Sequence, residues 1–336
     1  MANMKDLARA AGVSIATISR VFNESEKVKP ETRKMVLELA EKLNYSPNLM
    51  ASAFRKGKSG SIGVVVPIID REVFSSAIKS MEEILSEAGY NIIIGQSHES
   101  YEKEKQIIEN FKQLKVAGVI ISISKETKKI KHLTTLQKEN IPIIFFDRSI
   151  EIGAINSVVI NNYNGAYQAT THLIDQGCKN IIHLSGKKGV AIFKERKKGF
   201  LAALKEHDIS ISPSSVIPFD DGELAGIEKL KSLLQSNSRP DGILANGDIA
   251  ALVAIRIINE LNLLIPTDIA IVGFGDSKFC TYLKPSLSSV NQRNEDVGKL
   301  AATILLNEIK GKDEHNVITQ QMLPPILNIR SSSNRK

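Results

Sequence analysis

The chain has 336 residues, enough for two or three domains, and its 42% hydrophobic and 24% charged residues are typical of a globular protein. No apolar run approaches the roughly 20 residues that a membrane-spanning helix needs, and charged residues stand where a signal peptide would be apolar. We therefore expect a cytoplasmic protein without membrane contact. We expect Cys178 and Cys280 to be buried thiols rather than a disulfide or a metal pair.

The positive charge is concentrated at the N-terminus. Residues 1–60 contain eleven Lys or Arg and six Asp or Glu, which accounts for +5 of the net charge of +7. A small basic module on a nearly neutral body indicates contact with a polyanion such as nucleic acid. The charge alone would equally fit an ordinary solvated face.

The first 45 residues show the spacing of three short helices. Gly12 can end the first helix and Ser14 can cap the second. Two short helices joined by a glycine turn and closed by a third predict a helix-turn-helix unit. Its predicted core positions, which recur every three or four residues within each helix, are Met4, Leu7, Ala8, Ala11, Ile18, Val21, Phe22, Val36, Leu39, Ala40 and Leu43.

The second helix carries small, hydroxylated and basic residues away from its apolar stripe. Small side chains let a helix approach DNA closely, hydroxyls bond phosphates, and arginine can make a bidentate contact to guanine. A three-helix interaction domain without a role in DNA binding is the alternative. The outward-facing residues are Ser14, Ile15, Ala16, Thr17, Ser19 and Arg20.

From residue 61 onward, short β-branched runs alternate with helical segments. This alternation predicts parallel sheets covered by helices, and its two cycles predict two α/β lobes. Ligands of such folds bind beyond the carboxyl ends of the strands, in the cleft between the lobes. The polar residues at predicted strand ends are Asp70, Asp147, Arg148, Asn246, Asp248 and Asp276.

Motifs along essentially the whole chain point to one family. They are MKDLARAAGVSIATISRVFN, ETRKMVLELAEKLNYSPN, SIGVVVP, EAGY, FFDR, VINN, ERKKGF, IAIVGFGD and PSLSSVNQ. Together they resemble the lactose-repressor/galactose-repressor (LacI/GalR) family of transcription regulators. The resemblance implies an all-α helix-turn-helix headpiece, a hinge, and an α/β two-lobed, periplasmic-binding-protein-like body with parallel sheets.

The resemblance also implies domain boundaries. The DNA-binding domain would occupy residues 1–45, the hinge helix and linker 46–60, and the effector-binding and dimerisation domain 61–336. Three crossings between the lobes would lie near Asn161–Asn162, Gln292 and residue 320. The first lobe would then comprise about 61–161 and 293–320, and the second about 162–292 and 321–330.

For DNA, the resemblance implies base contacts from Ile15, Ala16 and Arg20, and phosphate contacts from Ser14, Thr17 and Ser19. In the family, a hinge helix inserts a leucine between base steps. This sequence has Phe54 at that position, another apolar wedge, and Ser52 where arginine is usual. The alternative is that Phe54 packs on the body or on a second copy of the chain.

For the effector, Arg196 matches a position that commonly holds an arginine gripping a sugar or purine. Phe74 and Phe219 are the candidates for stacking on a sugar ring. Two departures from the family pattern affect the same region. Gly275 replaces a frequent aspartate, with the carboxylate following at Asp276, and Gly247 replaces a usual asparagine, between Asn246 and Asp248.

Other chemistry finds little support in the sequence. The GKS at 57–59 ends like a phosphate loop, but Ser52 stands where that motif needs glycine. No GxSxG or HExxH occurs, and the six histidines lack metal-ligand spacing. We therefore expect no enzyme activity, cofactor or metal.

The reading that the sequence favours is a transcriptional regulator. As a homodimer it would bind a pseudo-palindromic double-stranded DNA operator, under the control of a small-molecule effector. A solute-binding protein without DNA function is the alternative.

Overall fold

The computed structural model describes residues 3–23, 25–45, 60–150, 155–186, 189–219, 224–311 and 320–335. The chain divides into two compact units, Met1–Gly60 and Ser61–Lys336. None of the described helices is both long and apolar enough to cross a membrane.

The first unit contains the three predicted helices: α1 (Met4–Ala11), α2 (Ile15–Asn23) and α3 (Pro30–Lys42). Asn3 and Asp6 form a reciprocal capping box at the start of α1. Gly12 ends α1 with a φ of 62°, a left-handed conformation in which glycine has no Cβ to clash. The helix-turn-helix prediction is confirmed.

The core of this unit is small and apolar. Leu7, Ile18 and Val36 are fully buried, one from each helix. Phe22 and Tyr45 pack beside them with ring centroids 5.8 Å apart. Leu43 differs from its predicted core position: it follows the end of α3 and is 37% exposed, because the helical spacing no longer applies there.

The second unit is built on two six-stranded sheets. The strands are β1 (Ser61–Val66), β2 (Asn91–Gln96), β3 (Gly118–Ile121), β4 (Ile143–Phe146), β5 (Asn156–Ile160), β6 (Ile181–Ser185), β7 (Val216–Pro218), β8 (Gly242–Ala245), β9 (Ala270–Gly275), β10 (Ser288–Asn291), β11 (Gln320–Leu323) and β12 (Ile326–Asn328). The first sheet has the order β11-β5-β4-β3-β1-β2 and the second β12-β10-β9-β8-β6-β7. All paired strands run parallel except β12, which lies antiparallel to β10. The predicted two-lobed parallel architecture is confirmed, with this one antiparallel edge strand added.

Helices cover both sheets. They are α4 (Glu72–Glu87), α5 (Tyr101–Gln113), α6 (Thr134–Gln137), α7 (Asn162–Asp175), α8 (Ala191–Glu206), α9 (Leu224–Leu234), α10 (Asp248–Glu260) and α11 (Asn294–Ile309). Helices α4 and α11 approach so closely at Gly298 that a Cβ there would collide with Ser80 and the carbonyl of Ala77. Cys178 and Cys280 are free, buried thiols, as predicted.

Within the part of the chain that the structure describes, three passages between the sheets can be followed. The first passage is at Asn161, between β5 and α7, and the second is at residues 292–293, between β10 and α11. The third differs from the predicted position near residue 320. Strand β11 pairs with β5 in the first sheet as far as Leu323, so 321–323 belong to the first lobe rather than the second. The passage occurs at Pro324 and Pro325, which have no N–H for a strand ladder.

Candidate DNA-binding surface and effector cavity

The predicted DNA-contacting residues lie on the outer side of α2. Ser14, Ile15, Ala16 and Arg20 are exposed, whereas Ile18 points into the core. Ile15 is 43% exposed, which is unusual for a large apolar side chain and suits contact with a base edge or a thymine methyl. This face therefore combines an apolar tip, a small residue and a cation within two helical turns.

The hydroxyls of this face also define where α2 begins. The backbone N–H of Thr17 donates to Ser14 Oγ at 3.1 Å, so Ser14 is the predicted helix cap, and the two side-chain hydroxyls are 2.9 Å apart. Thr17 and Ser19 are half-buried. Phe54 and Ser52 of the predicted hinge lie outside the described residues.

A cavity of about 480 Å³ lies between the two lobes of the second unit. It receives residues that follow β1 and β4 in the first lobe, and β8, β9 and β10 in the second. This is the carboxyl-end location expected for a ligand site. The lining residues are Asp70, Arg71, Glu72, Val73, Phe74, Asp147, Arg148, Ile192, Phe193, Arg196, Asn246, Gly247, Asp248, Ile249, Phe274, Gly275, Ser277, Phe279 and Gln292.

Arg196, from α8, is the most constrained charge in this wall. Only 3% of the residue is exposed. Its Nε donates to Asn162 Oδ1 at 2.8 Å and its Nη2 to Gln292 Oε1 at 3.0 Å, while Nη1 donates to the carbonyl oxygen of Asn246. A guanidinium has five N–H donors, so these three bonds fix its plane without using its whole capacity.

Burial makes the charged form of Arg196 less favourable without neutralising the side chain. Desolvation lowers its pKa to about 9, and the nearby carboxylates Asp147 and Asp248 oppose that shift. The side chain therefore remains cationic at neutral pH. A cation held rigidly in a poorly hydrated wall is suited to binding hydroxyl, carbonyl or anionic oxygen atoms of a ligand.

Across the cleft, the first lobe contributes Asp147 and Arg148. Burial raises the pKa of Asp147, and the neighbouring guanidinium of Arg148 partly offsets this shift. Arg148 donates from Nη1 to both carboxylate oxygens of Glu99, at 2.9 and 3.0 Å. Its Nε is buried without a hydrogen-bond partner among the described residues, 3.8 Å from Asp147 Oδ2.

Asp248 lines the cavity, but its carboxylate is occupied within the second lobe. Oδ2 accepts from the backbone N–H of Ser277 at 2.7 Å, and Oδ1 accepts from the Ser289 hydroxyl at 2.6 Å. Burial raises its pKa. These bonds tie the first residue of α10 to the loop after β9 through Ser277 and to β10 through Ser289, which is a positioning role.

Asp276 is not part of the cavity wall. Its Oδ2 accepts from the amides of Asn291 and Asn328 at 2.9 and 2.6 Å, and Oδ1 lies 2.7 Å from Nη2 of Arg330. Phe219 also lies elsewhere, fully buried in the core of the second lobe. Its carbonyl accepts from Nδ2 of Asn246, which links the backbone of Phe219 to a site residue. The structure thus does not bring Asp276 or Phe219 to the cavity.

The remaining predicted residues do line it. Asp70 is exposed where the loop after β1 meets α4. Phe74 is 2% exposed, packs edge-on against Phe146 at 6.2 Å, and lies 6.0 Å from the guanidinium carbon of Arg148. Phe74 therefore offers only a small part of its ring to a ligand.

Several site residues were not predicted as such. Phe274 lies under the Arg196 guanidinium, 3.6 Å from its carbon, and Phe193 lies 5.7 Å away. Asn162 and Gln292 hold the same guanidinium, and Glu99 holds Arg148. Gln292 directly follows β10, and Asn162 begins α7, with Asn161 between it and the end of β5. Both lie at predicted crossings between the lobes, so this position could have identified them.

The two glycine departures have different structural consequences. At Gly247 an added Cβ would meet only the Phe274 carbonyl, at 3.8 Å, so the missing side chain leaves open space. At Gly275 the φ of 135° disfavours any side chain, and a Cβ would approach Asp248 Oδ2 to 2.9 Å. A family member with asparagine and aspartate at these two positions would have two more side chains on the second-lobe side. Without them, this cavity has more room and fewer free acceptors there. Among the described residues, no cluster of His, Cys, Asp or Glu is arranged to hold a metal ion.

Comparison with known proteins agrees with this architecture. Residues 3–48 match the model for bacterial regulatory proteins of the lacI family, and residues 170–333 match a periplasmic binding protein-like domain. The chain is 32% identical to catabolite control protein A of Priestia megaterium over 329 residues, 98% of each chain. It is 32% identical over 313 residues to the ribose operon repressor of Halalkalibacterium halodurans, covering 93% of this chain and 92% of that one.

A solved structure extends the match to the fold. The Lac repressor dimer bound to operator and the anti-inducer ONPF superposes with a TM-score of 0.86 at 25% identity, over 99% of both chains. The two family models fall one in each of the units described above, and the relatives and the solved structure match across both units. The chain belongs to the LacI family of bacterial transcriptional regulators.

Proposed function

We propose that this protein is a transcriptional repressor whose affinity for a pseudo-palindromic operator changes when a small molecule binds between its lobes. The observation that carries the proposal is Arg196. It is a buried cation held by Asn162, Asn246 and Gln292, at the wall of a cavity of about 480 Å³. Such a volume is typical of sites for small ligands.

The effector we propose is a sugar or sugar derivative. The cavity combines aromatic side chains with carboxylates and guanidinium groups, a mixture suited to a ring with an apolar face and several hydroxyls. Two solved or curated relatives support this class by name: the ribose operon repressor, and a LacI-type regulator from Alkaliphilus metalliredigens complexed with D-xylulofuranose (27% identity, TM-score 0.69, 82% of this chain and 100% of that one). Arg196, Arg148, Asp70 and Phe74 would contact the ligand directly.

The DNA side of the proposal rests on α2. We propose that Ile15, Ala16 and Arg20 contact bases, and that Ser14, Thr17 and Ser19 contact phosphates. A homodimer would place two such helices on two half-sites, so the symmetry of the operator would match that of the protein. Phe54 would act in the hinge as an apolar wedge. The protein would act in the cytoplasm, without catalysis, cofactor or metal.

Effector and operator binding must be linked reciprocally. If the effector weakens operator binding by some factor, the operator weakens effector binding by the same factor. Affinity for the effector should therefore be measured with and without operator DNA, after a thermal-shift screen of pentoses, hexoses and their phosphates. An effector affinity that is the same with and without operator DNA would contradict the allosteric proposal.

Deletion of residues 1–60 separates this proposal from that of a solute-binding protein. The deletion is expected to keep the thermal shift with the sugar and to abolish DNA binding. If the full-length protein never retards a DNA fragment at low salt, the repressor proposal is wrong.

A further inference from the structure

A hydrogen bond joins the two lobes beside the cavity. The backbone N–H of Lys278, in the second lobe, donates to Glu72 Oε2, in the first lobe, at 3.0 Å. The two residues are 206 positions apart in the chain. Glu72, Ser277 and Phe279 all line the cavity, and the bond itself is accessible to solvent. It therefore lies at the mouth of the cleft rather than in its interior.

The local structure explains why this donor needs a partner. Lys278 begins a short 3₁₀ helix, Lys278–Thr281, and the first N–H groups of a helix have no partner within it. The preceding N–H, from Ser277, is satisfied by Asp248 of the same lobe. The next N–H, from Lys278, is instead satisfied from across the cleft.

The acceptor is equally well placed. Glu72 is the first residue of α4, where a negative charge is favoured by the helix dipole. Glu72 thus belongs to the first turn of a helix in one lobe, and its carboxylate accepts from the first N–H of a helix in the other. When the lobes separate, the Lys278 N–H and Glu72 Oε2 lose this bond and must each form a hydrogen bond with water instead.

We propose that the bond between Glu72 and Lys278 is a latch that holds the lobes together at the mouth and limits exchange of the effector. This role rests on the proposed function, because it takes the cavity to be the effector site. Opening of the lobes can nevertheless be measured without effector or DNA. Failure of the latch and failure of the repressor proposal are therefore distinguishable.

The test uses two variants that each remove one partner. Glu72→Ala removes the acceptor. Lys278→Pro removes the donor and suits its position, because proline is favoured at the first residue of a helix and Ser277 has a ψ of 147°, which is compatible with a following proline. Glu82→Ala, an exposed glutamate on the same helix, is the matched control.

Lobe separation would be measured by pulsed dipolar spectroscopy between spin labels at Lys79→Cys and Lys229→Cys, one in each lobe. Labelled chains are diluted with an excess of unlabelled chains so that distances within one subunit dominate. The native thiols resist labelling because they are buried; burial raises the pKa of Cys178 to about 12 and also raises that of Cys280.

Each latch variant is expected to raise the ratio of open to closed lobes about five-fold, the usual scale of one solvent-accessible hydrogen bond. The double variant should open no further than either single one, since both remove the same bond. Glu82→Ala should match the wild type. Distances unchanged in Glu72→Ala and Lys278→Pro, or fully additive effects, would overturn the latch. If Lys278→Pro does not fold, two variants of Glu72 test the latch instead. Glu72→Gln keeps a neutral acceptor, so its lobes must open less than those of Glu72→Ala; equal opening would overturn the latch.

Discussion

The guanidinium carbon of Arg196 lies 3.6 Å from the centre of the Phe274 ring. The two residues come from different elements, α8 and β9, and the stack fixes one face of the guanidinium. Hydrogen bonds to Asn162, Asn246 and Gln292 fix its edge. Together these contacts fix the orientation of the cation before any ligand arrives, which reduces the ordering cost of binding.

The first prediction concerns this arrangement. Arg196→Lys keeps the charge but loses the planar fork and leaves buried partners such as Gln292 unpaired. We expect at least a ten-fold loss of effector affinity, and about 1–3 kcal/mol lower stability. Calorimetric titration with the sugar identified by thermal shift, together with urea unfolding, measures both. Operator affinity without effector should change little, and unaltered effector affinity would contradict a contact by Arg196.

The second prediction separates Asp248 from Arg196, although both line the cavity. In Asp248 both carboxylate oxygens accept hydrogen bonds, one from Ser277 and one from Ser289. Asp248→Asn replaces one of these oxygens by an NH₂ group, which cannot accept. We expect about 1–3 kcal/mol lower stability. Effector affinity should change less than three-fold, because the carboxylate is already occupied by the protein. A loss as large as that of Arg196→Lys would show that Asp248 binds the ligand after all.

The contrast between these residues shows what sequence reasoning can reach. The helix-turn-helix, the strand–helix alternation and Arg196 follow from local spacing and motif. The partner that each polar side chain at a strand end binds does not follow from them. Asp276 is diverted from the cleft by Asn328, 52 residues away, and Arg148 is held by Glu99, 49 residues away. Such pairings depend on how distant segments meet, which local patterns do not encode.

The third prediction concerns stability at low pH. His183, in β6, is fully buried, and its Nδ1 lies 3.0 Å from the carbonyl oxygen of Leu244, which can only accept. Burial lowers the pKa of His183 to about 4. Between pH 6.5 and 4, His183 is therefore protonated in the unfolded chain but still neutral in the folded chain. Because the unfolded state binds more protons, the free energy of unfolding falls as the pH falls.

The size of this contribution is about 3 kcal/mol between neutral pH and pH 4. Urea unfolding across that range, for the wild type and for His183→Gln, measures it, because the difference between the two curves isolates this histidine from other titrating groups. The glutamine variant is expected to be less stable at pH 7 but to lose less on acidification. Parallel curves would rule out a buried neutral imidazole.

The fourth prediction concerns base recognition by α2. Arg20 is exposed on the outer face of the helix, so Arg20→Ala should leave folding intact. We expect a cost of about 1–3 kcal/mol at the specific operator and little effect on non-specific DNA. Arg33→Ala, an exposed arginine on α3, is the matched control. Fluorescence anisotropy at several salt concentrations distinguishes the roles, since equal losses on both DNAs indicate a phosphate contact only.

The last prediction concerns the hinge. The segment NLMASAF is about two helical turns long, too short to be stably helical alone in water, so we expect it to fold when two copies meet in the minor groove. There Phe54 would enter between base steps, unstack them and bend the operator. Phe54→Ala should therefore lower operator affinity and reduce the bend, measured by energy transfer between dyes at the ends of the DNA.

Phe54→Leu provides the control for this wedge. Leucine retains an apolar side chain long enough to enter the step, so most of the bend should return, whereas a Phe54 that packs on the body would give no bend difference among the three proteins. Non-specific DNA offers no defined central step, and its affinity should be insensitive to all of these changes. A bend angle in Phe54→Ala equal to that of the wild type would reject intercalation and assign the residue to packing instead.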